Sequence, residues 1–210
     1  MLMKTGKPDS ETTIGALRAQ TMSWDEQNGA ETFPSARLSS LAEIGLLAAF
    51  TTLDDECAVD DLITALRLVG GADLSLGRVF EGHVNAVQLV HHYGDRFQRD
   101  ALLTDLAEGR SFGVWNTESE PGVTLEKVGT CYRLAGAKSF ATGAGHLDRV
   151  LITARRPDGR KQLVLVDIAN EALRADNRGW NVRGMRGTSS GLFDFSGVIV
   201  DDQSLVGKPG

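Results

Sequence analysis

The chain changes hydrophobic period once, near Gly109, and that single change restricts the folds open to it. Before it, apolar residues recur every three or four positions; after it, they alternate or run in short β-rich blocks. A helical half followed by a β half argues for an α+β fold rather than strands alternating with helices around a parallel sheet. The expected division is a helical domain over residues 1–110 and an antiparallel, barrel-like β domain over residues 111–210.

The helical half reads as a series of amphipathic segments. Ser10 is placed to cap a first helix reaching toward Gln27, with Ile14, Leu17 and Met22 as its stripe. After the turn at Pro34-Ser35, the residues Leu38, Leu41, Ile44 and Leu47 continue one helix in which Gly45 is a soft spot rather than a stop. Asp60 and Asp61 suit a helix start by their charge, and Gly70-Gly71 reads as its end. From about Asp73 to Tyr93 a broad apolar face of Leu76, Val79, Phe80, His83, Val84, Val87 and Val90 predicts the central helix, with Gly94 at C′. Asp95 then caps a helix running through Leu102, Leu103 and Leu106 to Gly109.

The β half begins with the stretch that carries chemistry, Ser111 to Gly145. Phe112, Val114 and Trp115 read as a strand, Glu118 to Thr124 as a polar loop around Pro121-Gly122, and Tyr132 to Phe140 as a hairpin turning at Ala135-Gly136. Thr117 and Thr142 place hydroxyls at strand ends, where backbone N–H groups also come free. That combination suits a planar heteroaromatic ligand rimmed with carbonyls and nitrogens. Further strands are expected at Val150–Thr153, Leu163–Ile168 and Leu192–Val200, the last with Phe193 and Phe195 on one face.

The run V-W-N-T-E, then five residues and a threonine, then L-x-G-x-K-x-F-x-T-x-A, resembles the middle domain of the acyl-CoA dehydrogenase family. That family's usual form is Y-x-x-T-E-P-x-x-G-S-D followed by L-N-G-x-K-x-W-I-T. ARLSSLAEIGLL (36–47), LLTDLAEG (102–109), DRVLITAR (148–155) and GMRGTSSG (184–191) fall in the family's order and spacing, so the resemblance runs from about residue 10 to Gly210. It implies FAD as cofactor, an acyl-CoA-type small-molecule substrate and a homo-oligomer at full length, and leaves the electron acceptor unspecified. The implied flavin-facing residues are Val114, Trp115, Asn116, Thr117, Val123, Phe140, Ala141 and Thr142. Gly122-Val123-Thr124 stands where the family has Gly-Ser-Asp, Val114 replaces its tyrosine and Phe140 its tryptophan. The family's catalytic base commonly comes from a C-terminal helical bundle. None can be carried over onto this chain, so the base is expected beyond Gly210, and a chain of this extent should hold FAD weakly.

Three functions stay open on these grounds. The first is an FAD-dependent α,β-dehydrogenation of an acyl thioester, with hydride transfer to flavin N5. The second is a flavin monooxygenase of the same fold, with His83 helping to hold the oxygenated cofactor. The third is a truncated, non-catalytic flavin- or partner-binding module. On its apolar helix face His83 also reads as a core histidine, while His91 and His92 suit the negative end of the helix dipole and His146 should face solvent.

Composition removes other classes. A net charge of −6 and a pI near 5.2 argue against nucleic-acid or anionic-membrane partners. No apolar run approaches the roughly 20 residues of a membrane span, and MLMKTGKPDSE lacks a signal-peptide apolar region, so a cytoplasmic protein is expected. Cys57 and Cys131 have no metal spacing and read as reduced thiols. Gly143-Ala144-Gly145 lacks the third glycine of a dinucleotide turn and reads as a plain turn. Arg183 to Gly191 could cradle a phosphate but reads more simply as a surface loop.

Overall fold

The computed structural model describes residues 10–24, 31–118 and 122–210. Its helices are α1 (Ser10–Met22), α2 (Ser35–Glu43), α3 (Leu46–Ala49), α4 (Glu56–Ala72), α5 (Leu74–Tyr93) and α6 (Arg96–Ala107). Gln27 and Pro121 lie outside the described residues, as does the side chain of Ser10. In α1, Ile14 and Leu17 are buried but Met22 is 88% exposed, so the stripe stops one turn early.

Local geometry explains where the helix ends depart from expectation. Gly45 takes a left-handed φ of 76° and splits the expected single helix into α2 and α3, because only glycine adopts that backbone without a Cβ penalty. The start of α4 is set by Asp55, whose extended backbone lets its carboxylate accept the Ala58 N–H at 2.8 Å. Charge alone, at Asp60 and Asp61, does not supply that bond. Gly70-Gly71 lies inside α4 rather than ending it. A Cβ on Gly77 would stand 2.6 Å from the Gly70 Cα, so paired glycines allow α4 and α5 to cross at this corner. Asp73 caps α5 through the Leu76 N–H at 3.0 Å and pairs with Arg37 at 2.7 Å. Gly94 is extended, with φ −69°, rather than left-handed; a side chain there would meet the Val90 carbonyl at 2.5 Å. Asp95 and Gln98 form a capping box on α6, and the Gln98 amide also donates to Gln203 O and Leu205 O.

The strands are β1 (Phe112–Trp115), β2 (Thr124–Val128), β3 (Cys131–Ala135), β4 (Ala137–Ala141), β5 (Arg149–Arg155), β6 (Lys161–Asp167), β7 (Ala175–Asp176), β8 (Gly191–Asp194), β9 (Ile199–Val200) and β10 (Leu205–Val206). Among the described residues they form two sheets and no closed barrel. The larger has the order β10-β6-β5-β2-β3-β9 with β1 alongside β5; the smaller is β4-β8-β7. β1 pairs with β5 in parallel, so the large sheet is mixed rather than antiparallel.

The expected hairpin through Ala135-Gly136 is a crossing between sheets. β3 pairs with β2 and β9, whereas β4 pairs with β8. Gly136 has φ 103°, and a Cβ on it would lie 2.2 Å from the Gly122 carbonyl oxygen. The expected strand Leu192–Val200 crosses back at Gly197 (φ 83°). Backbone bonds from Phe195 N to Gly136 O and from Gly197 N to Leu134 O stitch the two crossings together.

Helices and sheets share their interior. The predicted face of α5 is buried throughout, and Val87 and Val90 pack with Leu102, Leu106, Phe112 and Leu151. Among the described residues, no helix is long and apolar enough to cross a membrane.

Candidate functional site

The site region is held from below by Trp115. Its indole is 2% exposed, sits 5.3 Å from the Phe193 ring and 6.1 Å from Phe195, and donates to the Thr142 carbonyl at 2.9 Å. This ring is committed to the core and does not share a ligand-facing wall with Phe140. Its hydrogen bond fixes the turn after β4 against the end of β1. Thr117 then follows Trp115 into solvent, and its carbonyl accepts the Ser139 N–H at 3.2 Å. Thr117 and Thr142 thus each tie β1 or the segment after it to β4 or its following turn.

Next to Thr117 lies a buried ion pair. The Lys138 side chain is fully buried; its Nζ donates to Glu118 Oε1 at 2.9 Å and to Thr153 Oγ1 at 3.0 Å. Burial lowers the Lys138 pKa, and the Glu118 bond only partly opposes this. For Glu118, burial acts upward, but the Lys138 hydrogen bond and the charges of Lys138, Lys161 and Arg155 outweigh it and hold the carboxyl below its ordinary value. The pair pins the Thr117-Glu118 segment to β4 at the bridge between Glu118 and Lys138.

Phe140 and Ser189 are both held at positive φ in this region, and Phe140 is the bulkier of the two. It is 63% exposed with φ 53°, a backbone conformation that costs an aromatic residue on the order of 1 kcal/mol or more. It occupies the irregularity in the β4–β8 register between Lys138 and Ala141. Its ring meets Trp180 edge-on at 6.2 Å, and the Trp180 indole donates to Met185 O. An apolar ring is thus held out toward solvent beside the Thr142 turn.

The other nominated residues separate by burial. Val123 and Ala141 are fully buried and Val114 is half-buried, so their side chains serve the core; Asn116 is exposed beside Thr117. His83 is also structural. Its Nε2–H donates to Leu47 O at 2.8 Å and its Nδ1 accepts the Phe112 N–H at 3.0 Å, so α5 bridges α3 and β1 through one neutral imidazole. Burial pushes its pKa down to about 4. Both ring nitrogens are occupied, which leaves none for a ligand. His146 is exposed as expected, although its ring stacks on Phe33 at 4.2 Å.

The run from Arg183 to Gly191 is more than a surface loop. Thr188 and Ser190 are buried, and Gly143 N and Ala144 N donate to Thr188 O and Ser189 O. The glycine-rich turn after Thr142 therefore docks on this run. Thr188 Oγ1 donates to Met185 O at 2.8 Å and lies 2.7 Å from Ser190 Oγ, which contacts Thr142 Oγ1 at 3.0 Å. Ser190 and Thr188 were not nominated from the sequence; three hydroxyl residues in succession, Thr188 to Ser190, were the available signal. The clefts of about 270, 830 and 440 Å³ lie against α6, the small sheet and the start of α4, and none is lined by Thr117, Phe140 or Thr142.

No protein-family model matches the chain. It is similar to the dibenzothiophene monooxygenase of Mycolicibacterium goodii, 29% identical over 158 residues, which cover 70% of this chain and 38% of that protein. The dibenzothiophene monooxygenase of Rhodococcus qingshengii matches to the same extent. Among solved structures, TdsC from Paenibacillus sp. A11-2 with FMN and indole superposes with a TM-score of 0.70 at 25% identity, covering 96% of this chain and 51% of that one. Butyryl-CoA dehydrogenase from Megasphaera elsdenii superposes with a TM-score of 0.76 at 16% identity, covering 96% and 59%, a likeness of fold alone. The chain thus has the fold of acyl-CoA dehydrogenases, while its sequence relatives are monooxygenases. It spans 38% of the length of those curated relatives and about half of the TdsC chain.

Proposed function

We propose that this chain forms the helical and β portion of a flavin-dependent monooxygenase acting on a planar aromatic heterocycle. The observation that carries the proposal is the sequence likeness to dibenzothiophene monooxygenases over 70% of the chain, joined to the Thr117–Thr142 geometry. A reduced flavin supplies the electrons that activate molecular oxygen, one atom of which goes to the substrate and the other to water.

The residues present fit such a ring. Thr142 accepts a hydrogen bond from Ser190, and its own hydrogen has no acceptor among the described residues. Thr117 and Asn116 add polar groups beside it, and Phe140 offers an apolar face. In this reading the threonine hydroxyls orient the ring's polar edge, each hydrogen bond contributing about 1 kcal/mol. Phe140 excludes water, and Trp115 and the Lys138–Glu118 pair hold both threonines in register. The absence of a Gly-Ser-Asp run, with the buried Val123 in the serine's place, agrees with a substrate other than an acyl thioester. FMN and FAD both carry the ring these groups would meet.

The test is flavin titration of the full-length gene product, followed by fluorescence. Stoichiometric uptake that is lost or strongly weakened in the Thr117→Val, Thr142→Val double variant supports the assignment. Unchanged uptake by that variant places the flavin elsewhere. A second reading, acyl-CoA dehydrogenation, is favoured by the superposition on butyryl-CoA dehydrogenase. It predicts that an acyl-CoA bleaches the bound flavin without oxygen.

A further inference from the structure

Helix α6 carries a surface on which a projection and a recess lie side by side. The recess is the cleft of about 270 Å³ between α6 and residues 201–204. Phe97, Ala101 and Asp105, spaced four residues apart, form its α6 wall, and Leu102 and Leu165 give it an apolar floor. At about 1.5 Å of rise per residue that wall is about 12 Å long, enough for an aromatic side chain and its neighbour.

The two ends of the recess differ in charge. At one end Asp105 is engaged by Arg149 and Arg110, so its charge is answered within the chain. At the other, Asp95 and Asp201 each spend one carboxylate oxygen on a cap: Asp95 Oδ1 accepts the Gln98 N–H, and Asp201 Oδ1 accepts the Ser204 N–H and hydroxyl. Their Oδ2 atoms have no partner among the described residues, so the rim carries two unanswered negative charges. The projection has the opposite sign. Phe97 is 77% exposed, and beside it the Arg96 side chain, 87% exposed, approaches Asp100 at 3.8 Å. A solvent-exposed pair of that kind is worth little, so the guanidinium is available to a stronger partner.

We propose that this surface joins two copies of the chain about a two-fold axis, the Arg96-Phe97 projection of each entering the recess of the other. The Phe97 ring covers the apolar floor of the opposite recess, and Arg96 meets the free carboxylate oxygens at its rim. A two-fold contact needs one face that is complementary to itself, and here the projection and the recess that answers its shape and charge share α6. Every contact is then made twice. An aromatic ring seated in a pocket beside an arginine is also the combination that dominates the energetics of protein interfaces. The inference stands on α6 and residues 201–204 and is independent of where a flavin binds.

The test is sedimentation velocity of the full-length protein over a concentration series. Phe97→Glu, Arg96→Asp and Asp201→Arg should each halve the mass of the wild-type assembly, with the Kd of this contact raised at least about tenfold. Mixed in equal amounts, Arg96→Asp and Asp201→Arg should regain the wild-type mass, because in the mixed dimer one contact keeps Arg96 against Asp201 and the other carries both charges reversed. Phe97→Glu and Arg96→Asp alter exposed side chains and decide the matter alone should Asp201→Arg lose its cap and fail to fold. Wild-type mass retained by Phe97→Glu or by Arg96→Asp overturns the proposal, as does a mixture of folded variants that stays dissociated. A wild-type protein that does not self-associate overturns it too, and assigns the recess to another occupant.

Discussion

Acidification should weaken this protein through His83 before its carboxylates begin to titrate. The folded-state pKa of about 4 lies below the ordinary value of 6.5, so between these limits the unfolded chain binds the extra proton and the folded chain does not. Stability is therefore complete above pH 6.5 and falls as the pH drops toward 4. Each pKa unit corresponds to about 1.4 kcal/mol, so the fall from pH 7 to pH 5 should be about 2 kcal/mol from this residue alone. The cause is burial, which disfavours the charged imidazolium, and protonating Nδ1 would in addition set an N–H against the Phe112 N–H it now accepts. The assay is urea unfolding at pH 7 and pH 5, compared between the wild type and His83→Gln, whose amide does not titrate. The variant should be less stable at pH 7, yet its loss between the two pH values should be smaller by about 2 kcal/mol. Equal losses would show that His83 is protonated in the folded state and refute the buried-bridge account.

Other perturbations have equally direct readings. Lys138→Met should destabilise by about 3 kcal/mol in urea unfolding, because Glu118 keeps its charge and loses its buried partner; adding Glu118→Gln should recover part of the loss. Gly136→Ala should cost more than about 2 kcal/mol, or prevent folding, since its Cβ would sit 2.2 Å from Gly122 O on a backbone with φ 103°. Trp115→Phe should cost about 1 kcal/mol from the lost bond to Thr142 O and should loosen the Thr142 turn, seen as faster amide exchange at Gly143 and Ala144.

The helical half was legible wherever one face met the core. The periodic residues of α5 are all buried, and the Asp95 cap stands where the sequence puts it. In the β half, β1, β3, β4, β5 and β6 stand where strands were expected, but β2 was not anticipated, the expected strand Leu192–Val200 is two strands in different sheets, and the pairing of β3 with β4 was wrong. Ala135-Gly136 carries ordinary turn chemistry, and nothing local says that β3 and β4 leave for different sheets; that depends on Gly136 meeting the Gly122 carbonyl from another segment. The same limit applies to Gly70-Gly71, whose reason is Gly77 on the next helix. Thr117, Phe140 and Thr142 were nominated through motif spacing; in the structure Thr117 and Phe140 are exposed and Thr142 is buried. Trp115, His83 and the Thr188–Ser190 pair acquire their roles only through contacts distant in sequence, so residue type alone could not sort core from site.

The most direct measurement is the fate of isotopically labelled molecular oxygen. The full-length protein, loaded with FMN or FAD and supplied with an external flavin reductant, would be incubated with indole or dibenzothiophene and the product examined by mass spectrometry. One labelled oxygen atom in the heterocycle, lost when Thr117 and Thr142 are both replaced by valine, is the result this account predicts. Label found only in hydrogen peroxide or water, together with anaerobic bleaching of the flavin by an acyl-CoA, would contradict it.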